Sequence, residues 1–278
     1  MQENSAMKLL ITLDENYIKP CKVMLYSLFL NGTDSDTEVY LLHSGMADEK
    51  INELKTLCAH FGASLNPIVM DKKLFENAPS SKRYPKEMYF RLLSPLVLPD
   101  TLDRVLYLDP DILIINSLKD LWNTELNEKT FAAASHTGLT TMMNDVNYVR
   151  LKIENDYFNT GVMLIDLNKA RKIVKKEDVF DCVRKREKDL LLPDQDVFNI
   201  LYGKETLAVP DEVWNYDVRN YGKYKILSNG KFDLNGVMQN TSVLHFCGKN
   251  KPWKKNYANR FKILYLHYMN RCEKLFKE

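Results

Sequence analysis

The stretch Arg104-Val-Leu-Tyr-Leu-Asp109-Pro-Asp111-Ile-Leu-Ile-Ile115 places two aspartates between two apolar runs. The first run has the length and composition of a strand buried on both faces of a sheet. Two carboxylates in so apolar a sequence cost several kcal/mol unless they are paired or hold a cation. Asp109 and Asp111 are therefore predicted to ligate Mn²⁺ or Mg²⁺, with Pro110 restricting the backbone between them. The alternative is that Asp-Pro-Asp only caps the strand and begins a turn.

Similar apolar runs recur along the chain and alternate with helical patterns, which include Asp48–Phe61 and Asn168–Lys188. The runs typical of strands are Lys8–Leu13, Val39–Leu42, Leu65–Val69, Val105–Leu108, Phe131–Ala134, Val162–Leu167, Thr206–Val209 and Val243–Phe246. This alternation predicts an α/β fold built on a largely parallel sheet that helices cover on both faces. Ligands of such sheets bind beyond the carboxyl ends of the strands, so the polar residues there are the candidates for function.

The composition limits the classes of protein to which the chain can belong. It has 278 residues, of which 45% are hydrophobic, enough for one large α/β domain. Lysine and arginine (39) nearly balance aspartate and glutamate (37), which argues against nucleic acid as a partner and makes any phosphate binding local. Five cysteines without a CxxC pair predict neither a disulfide framework nor a zinc site, and favour a reducing, cytoplasmic location. No apolar run approaches the roughly 20 residues of a spanning helix, and Met1–Met7 lacks a secretory pattern.

The segment after Pro252 combines apolar residues at helical spacing with many basic residues. One interpretation is a final helix docked on the core, and the other is a basic amphipathic helix lying on anionic lipid. We divide the chain into a domain over residues 1–252 and a helical extension over residues 253–278. The second interpretation would place the protein at the inner face of a membrane. Asn220–Asn240, rich in Gly, Asn and Lys, is predicted to be an irregular loop.

A histidine lies on an apolar strand near the C-terminus and is followed by a glycine and lysines, in Ser242–Trp253. His245 is either a satisfied core residue or a nitrogen ligand of the predicted metal. Gly248 lets the backbone approach a phosphate closely, and Lys251 offers that phosphate a positive charge.

Two further segments carry side chains suited to binding sugar hydroxyls. Pro193-Asp194-Gln195-Asp196 opens a helical pattern, so Asp194 is either an N-cap or a hydrogen-bonding partner of a sugar, and Gln195 offers an amide. Asn159 precedes the strand Val162–Leu167 and either points into the cleft or marks an ordinary turn.

The ends of two other elements offer groups for a nucleotide. Asp14 and Asn16 follow the first strand and can hydrogen bond to a pyrimidine and its ribose, while Tyr17 offers a stacking face. The alternative for these residues is a simple helix start. Arg91, in the helix-like Tyr89–Leu93, is either solvated or directed at a phosphate or the acidic pair.

Taken together and in order, six motifs resemble glycosyltransferase family 8, which includes bacterial lipopolysaccharide galactosyl- and glucosyltransferases and glycogenin. The resemblance extends to about Trp253. The motifs are Leu13-Asp14-Glu15-Asn16-Tyr17, Tyr89-Phe90-Arg91-Leu92, Leu106-Tyr107-Leu108-Asp109-Pro110-Asp111, Phe158-Asn159-Thr160-Gly161-Val162, Pro193-Asp194-Gln195-Asp196 and His245-Phe246-Cys247-Gly248-Lys249-Asn250-Lys251-Pro252-Trp253.

The resemblance implies a GT-A fold with one Rossmann-like mixed sheet, a UDP-glucose or UDP-galactose donor, Mn²⁺ dependence and retention of anomeric configuration. It assigns the metal to Asp109, Asp111 and His245. It assigns the donor to Leu13, Asp14, Asn16, Tyr17, Arg91, Pro110, Gly248 and Lys251, and the sugar pocket where catalysis occurs to Asn159, Asp194 and Gln195. The implied acceptor is a glycan or glycolipid. The sequence departs from the family at His136-Thr137, where bacterial galactosyltransferases carry an acidic residue, and in having proline between the two aspartates.

Two other functions are compatible with parts of this pattern. Haloacid-dehalogenase-like phosphatases also place a DxD pair after an apolar strand, but here the pair lies far from the amino terminus. A non-catalytic protein could keep the nucleotide-sugar pocket without turnover, although an intact set of metal ligands speaks against it.

Overall fold

The computed structural model describes residues 6–33, 36–79, 87–135 and 147–276; His136 and Thr137 lie outside them. The strands within the described residues are β1 (Lys8–Thr12), β2 (Glu38–His43), β3 (Ser64–Val69), β4 (Arg104–Leu108), β5 (Ile112–Ile114), β6 (Phe131–Ser135), β7 (Phe158–Asp166), β8 (Thr206–Val209), β9 (Tyr216–Asp217) and β10 (Val243–His245). The helices are α1 (Ile18–Asn31), α2 (Asp48–His60), α3 (Met88–Leu93), α4 (Lys119–Trp122), α5 (Leu167–Ile173), α6 (Lys176–Arg186), α7 (Pro193–Tyr202), α8 (Asp211–Trp214), α9 (Tyr221–Leu227), α10 (Leu234–Asn240) and α11 (Lys262–Leu275). The eight strands predicted from the sequence are all present among these.

A seven-stranded sheet in the order β3-β2-β1-β4-β7-β6-β8 forms the centre of the fold. Strand β7 runs antiparallel to both of its neighbours, and the other pairs are parallel. The sheet is therefore mixed, and the predicted α/β fold with flanking helices is confirmed. Because β7 runs in the opposite direction, its amino end lies at the same edge as the carboxyl ends of β1 and β4.

Both faces of this sheet are covered, which explains why its strands read as continuous apolar runs. On β4, Leu106 and Leu108 belong to one hydrophobic cluster while Val105 and Tyr107 belong to another on the opposite face. All four side chains are fully buried. The strand that leads to Asp109 is thus held rigidly from two sides.

A second sheet of three short strands, in the order β5-β10-β9, was not predicted as a separate sheet. In it β10 pairs antiparallel with β5, and His245 lies opposite Ile112. That register brings His245 beside Asp111, which immediately precedes β5. Pairing of short segments remote in sequence therefore builds the functional region.

The prediction of an irregular loop over Asn220–Asn240 is wrong, because this segment forms α9 and α10. Asn229 (φ 51°) and Gly230 (φ 86°) adopt the left-handed conformation that ends α9. The Asp233 carboxylate then caps α10 by accepting a hydrogen bond from the Gly236 amide at 2.9 Å. The helical pattern Asn168–Lys188 is likewise two helices, α5 and α6.

The C-terminal helix α11 docks on α1. Tyr265 and Cys272 are buried, and the Asn31 amide donates a hydrogen bond to the Tyr268 hydroxyl at 2.9 Å. The apolar face of α11 is thus occupied by the protein's own core, as the docking interpretation predicted, and the membrane interpretation gains no support. Within the described residues, no helix combines the length and apolar composition needed to cross a bilayer. The division of the chain at residue 252 stays a prediction.

Candidate active site

The two predicted metal-binding aspartates lie at the end of β4 and the start of β5. The Asp109 amide donates a hydrogen bond to the Gly161 carbonyl at 2.8 Å, which ties the turn to β7. The Asp109 carboxylate accepts a hydrogen bond from the Tyr107 hydroxyl at 2.6 Å. Pro110 and Asp111 do form a turn, but this turn also directs both carboxylates toward His245.

Asp109, Asp111 and His245 form one compact group whose potential ligand atoms all lie within 4.8 Å of one another. The Nε2 atom of His245 is 3.3 Å from an Asp111 oxygen and 3.9 Å from an Asp109 oxygen. Among the described residues no other group of three acidic, histidine or cysteine side chains converges in this way. The structure therefore brings the three predicted ligands together.

Asn215, which sequence reasoning missed, orients His245 from behind. Its side-chain Nδ2 donates to the side-chain Oδ1 of Asn159 at 2.9 Å, so its own Oδ1 is the atom 2.7 Å from His245 Nδ1. An oxygen there requires a proton on Nδ1, so Nε2 is the ring nitrogen that faces the two carboxylates and that a metal would displace a proton from. Asn215 is fully buried. This arrangement is the one that a metal-ligating histidine needs.

Two carboxylate oxygens and one imidazole nitrogen form a ligand set that suits Mn²⁺, with Mg²⁺ as the harder alternative. The Lys251 ammonium contacts the Asp111 carboxylate and donates to the Phe246 carbonyl at 2.9 Å. Burial alone raises the pKa of Asp111, but His245 and Lys251 lower it below its usual value. Burial alone lowers the pKa of His245, and Cys247 and Asp111 raise it well above the usual value. The carboxylates therefore attract cations strongly, and the residues present fit a divalent metal.

Gly161 is required by this geometry. A Cβ atom at this position would lie 2.4 Å from the Cε1 of His245 and 2.8 Å from an Asp109 oxygen. Gly161 lies between Asn159 and Met163, in the part of β7 where the pairing with β6 shifts register opposite Ala133 and Ala134. The expectation that Asn159 precedes the strand, with an ordinary turn as the alternative, is wrong. Asn159 is part of β7, and its side-chain Oδ1 accepts a hydrogen bond from the Gly161 amide at 2.8 Å.

Arg91 links the acidic pair to α7. Its guanidinium is 3.0 Å from Asp109 and 3.3 Å from Asp194, and it lies 4.8 Å over the Tyr107 ring. Burial alone lowers the pKa of Arg91, but the Asp109 carboxylate raises it above its usual value, so the group stays cationic. Arg91 therefore carries a fixed positive charge at the centre of the site.

Asp194 is not an N-cap, which corrects one of the two interpretations of this residue. Leu192 occupies the N-cap position of α7. The amides of Leu191 and Leu192 instead donate to the buried Asp196 carboxylate at 2.6 and 3.0 Å. Asp196 also pairs with Arg150 at 2.7 Å. Asp194 is thereby left to face Arg91.

Two cavities meet at the acidic pair, which forms part of the wall of each. The larger, of about 730 Å³, includes Asn159, Asp194, Gln195, His245 and Gly248 in its lining, together with Leu191, Leu192, Arg219 and Lys223. The smaller, of about 320 Å³, includes Leu13, Asp14, Tyr17, Pro110 and Pro193. Arg91, Asp109, Asp111 and Asp194 line both. An elongated ligand can therefore extend across the carboxylates from one cavity to the other.

The predicted nucleotide-binding residues lie in different settings. Asp14 accepts a hydrogen bond from the Asn16 amide at 2.8 Å and so starts a short 3₁₀ helix, as the capping alternative predicted. It still lines the smaller cavity with Tyr17, whereas Asn16 is not in that lining. Gly248 has a φ of +88°. Lys251 is buried against Asp111 and does not project into solvent.

Sequence comparisons place the chain among enzymes of one family. A family model described as Glycosyl transferase family 8 matches residues 8–257. General stress protein A of Bacillus subtilis (strain 168) is 28% identical over 277 residues, covering 97% of this chain and 95% of that protein. Lipopolysaccharide 1,2-glucosyltransferase of Escherichia coli (strain K12) is 26% identical over 246 residues, covering 87% of this chain and 71% of that protein.

The fold has a close counterpart among solved structures. The galactosyltransferase LgtC, solved in complex with donor and acceptor sugar analogs, matches with a TM-score of 0.80 and 21% sequence identity. The match covers 95% of this chain and 96% of the other. It confirms the GT-A architecture that the sequence motifs implied.

Proposed function

The chain belongs to glycosyltransferase family 8, and from this membership we propose that it transfers glucose or galactose from a UDP-sugar to a hydroxyl group of a glycan or glycolipid, with retention of configuration. The observation that carries the proposal is the position of the Asp109, Asp111 and His245 group at the junction of two cavities. A nucleotide sugar has the matching layout, because its anionic diphosphate lies between a nucleoside and a hexose.

Each part of the donor then meets a suitable part of the site. The nucleoside occupies the smaller cavity, where Leu13, Asp14 and Tyr17 supply apolar, hydrogen-bonding and stacking groups. The hexose occupies the larger cavity, where Asn159 and Gln195 offer amides to its hydroxyl groups. Volumes of this size are typical of small-molecule sites.

The diphosphate lies between these cavities, at the acidic pair. Gly248 permits a close approach of the backbone, and Lys251 and Arg91 supply positive charge. A bound Mn²⁺ or Mg²⁺, held by Asp109, Asp111 and His245, would neutralise charge on the diphosphate as a Lewis acid.

Transfer breaks the bond between the anomeric carbon and the diphosphate oxygen, and the electron pair leaves with the UDP. Arg91 and Lys251 stabilise the charge that builds on that oxygen. An acceptor hydroxyl attacks the same face of the sugar and gives its proton to the departing phosphate, which accounts for retention. The Gln195 amide is a poor nucleophile, so its role is to position the sugar and to stabilise the positive charge that develops on the sugar ring as the bond breaks.

The acceptor enters through the remaining part of the larger cavity. Leu191 and Leu192 line that part and are 61% and 54% exposed. Side chains of this kind suit the apolar face of a sugar ring. The free thiols of all five cysteines agree with a reducing, cytoplasmic location, which stays part of the proposal.

The test is slow release of UDP from UDP-glucose or UDP-galactose by purified protein with Mn²⁺. We expect release to stop when EDTA is added and to be abolished in Asp111→Asn, whereas the exposed Asp120→Asn is the matched control and should behave as wild type. UDP release undiminished in EDTA would exclude the metal mechanism. Wild-type activity in Asp111→Asn would show that Asp109-Pro110-Asp111 only forms a turn.

The same purified protein can be used to test the two other functions. Tight UDP binding without turnover of any sugar donor would favour a non-catalytic binding protein. The family match does not favour the phosphatase, and release of phosphate from a simple phosphomonoester would be needed to revive it. A panel of donors identifies the hexose, because glucose and galactose differ at one hydroxyl group.

A further inference from the structure

Positive charge is strongly segregated along the chain, which the overall balance conceals. Residues 218–272 contain eleven lysines and arginines and a single acidic residue, a net charge of +10, while the remaining residues have 28 basic and 36 acidic side chains, a net charge of −8. The basic residues of the segment are Arg219, Lys223, Lys225, Lys231, Lys249, Lys251, Lys254, Lys255, Arg260, Lys262 and Arg271. Such asymmetry within one chain indicates an anionic partner.

The fold gathers this segment into one body, which we call the basic lobe (residues 218–272). Side chains from α9, α10, β10 and α11 share one hydrophobic cluster, with Tyr224, Val237, Phe246 and Tyr265 among its buried members. The single acidic residue, Asp233, is committed to capping α10. The positive charges are therefore concentrated in space as well as in sequence.

The basic lobe reaches the larger cavity through four cations that we call the basic rim: Arg219, Lys223, Lys249 and Lys254. Arg219 and Lys223 line the cavity itself. Asp217 holds the Arg219 guanidinium through bonds of 2.7–3.1 Å, and a Cβ on Gly248 would lie 2.9 Å from its Nη1. Lys249 directly follows Gly248, and its carbonyl accepts a hydrogen bond from the Lys254 ammonium at 3.2 Å.

The basic rim is distinct from the cations that serve the acidic pair. Asp109 is paired with Arg91 and Asp111 with Lys251, both at the junction of the cavities. Lys223, Lys249 and Lys254 are instead exposed. Asp217 also lines the cavity and neutralises Arg219, so the net positive charge of the rim comes from its three exposed lysines, and such charge raises the local concentration of anionic ligands. The rim thus adds a positive field on the acceptor side of the cavity.

We propose that the acceptor is an anionic glycan, whose reacting sugar enters the larger cavity while phosphate or carboxylate groups on neighbouring units contact the basic rim. This inference rests on the proposed function and specifies the class of acceptor. A glycan is the occupant that fits both observations, because the cavity wall next to the rim also carries the amides and exposed leucines that suit sugar rings.

The experiment compares the binding of three matched probes by calorimetry: maltotetraose, a phosphorylated maltotetraose, and a maltotetraose with one glucose oxidised to glucuronate. At about 0.05 M salt we expect at least one charged probe to bind about tenfold more tightly than the neutral one, and this preference to shrink at about 0.5 M salt. The two charged probes distinguish phosphate from carboxylate as the group recognised.

The variant Lys223→Gln/Lys249→Gln/Lys254→Gln should reduce the preference to about twofold or less. The control Lys55→Gln/Lys72→Gln/Lys172→Gln removes the same charge from exposed lysines outside the basic lobe and should keep the preference. The inference is overturned by equal binding of all probes, by no binding of any probe, or by a preference that the first variant retains.

Two further measurements separate the alternatives. If the protein sediments with vesicles rich in phosphatidylglycerol and binds the three soluble probes equally, the inference is overturned in favour of a lipid surface. UDP release from the donor without acceptor tests the proposed function on its own. If the protein hydrolyses the donor but binds charged and neutral probes equally, only the inference is refuted. If it prefers the charged probes but does not hydrolyse the donor, the proposed function is refuted.

Discussion

Gly161→Ala is expected to weaken metal binding strongly while leaving the fold in place. The added Cβ would lie 2.4 Å from the Cε1 of His245 and 2.8 Å from an Asp109 oxygen, whereas ordinary contact begins at 3.4 Å. The imidazole would have to retreat by about 1.0 Å and the carboxylate by about 0.6 Å. A change of one methyl group therefore acts on two of the three ligands at once.

Neither ligand has room for such a displacement. His245 is buried and held 2.7 Å from Asn215, while Asp109 is fixed by Tyr107 and Arg91. Metal–ligand distances are maintained to about ±0.2 Å, so the expected shifts exceed the tolerance several times. We expect Mn²⁺ affinity to fall by about 10²-fold or more and stability to fall by about 1–3 kcal/mol from overpacking.

The assay is a titration of Mn²⁺ followed by the electron paramagnetic resonance of the free ion, with circular dichroism to verify folding. Gly222→Ala is the matched control, because Gly222 lies in α9 with nothing within 4 Å of its added Cβ. It should bind Mn²⁺ normally and be more stable by about 0.5–1 kcal/mol. Wild-type Mn²⁺ affinity in Gly161→Ala, or an equal loss in Gly222→Ala, would refute the reasoning.

Two other substitutions test residues that position the site. Asn215→Leu removes the hydrogen-bond acceptor of His245 Nδ1 and should weaken Mn²⁺ binding by about 10- to 100-fold in the same titration. Asn215→Asp keeps an acceptor oxygen there and should lose less affinity. Equal losses in the two variants would contradict the role of the oxygen. Asp196→Asn should lower the free energy of unfolding in urea by about 3 kcal/mol at neutral pH, since it leaves Arg150 without its carboxylate partner. Burial raises the pKa of Asp196, but its hydrogen bonds with Arg150 and Tyr157 lower it below the usual value. The contribution of the carboxylate is therefore complete above its unfolded pKa and is lost as the pH falls through the folded one. The gap between wild type and Asp196→Asn should close in acid, and a gap independent of pH would contradict this account.

The strands and the acidic pair could be predicted because burial on both faces of a sheet leaves a direct mark on the sequence. Val105–Leu108 is apolar at every position, so the aspartates that follow stand out. His245 could be predicted for the same reason, as one polar residue in an otherwise apolar strand. These signals are local and need no knowledge of tertiary contacts.

Other parts of the site depend on contacts between distant residues and leave no such mark. Asn215 follows a four-residue helix and precedes a two-residue strand, and nothing in that segment indicates that it faces His245. The sequence could not show whether Asp194 caps its helix, because only the structure shows that the Asp196 carboxylate accepts the hydrogen bonds of the Leu191 and Leu192 amides. The segregation of charge was readable from the sequence, but its position beside the larger cavity was not.

The pairing of β10 with β5 also determines when the proposed metal site can form during synthesis. Asp109 and Asp111 leave the ribosome long before His245, which takes its place only after β10 has paired opposite Ile112. A nascent chain that ends before this strand carries the two carboxylates without their nitrogen ligand or Lys251. We therefore expect an interrupted translation product of this protein, which lacks the third ligand of the proposed set, not to bind Mn²⁺.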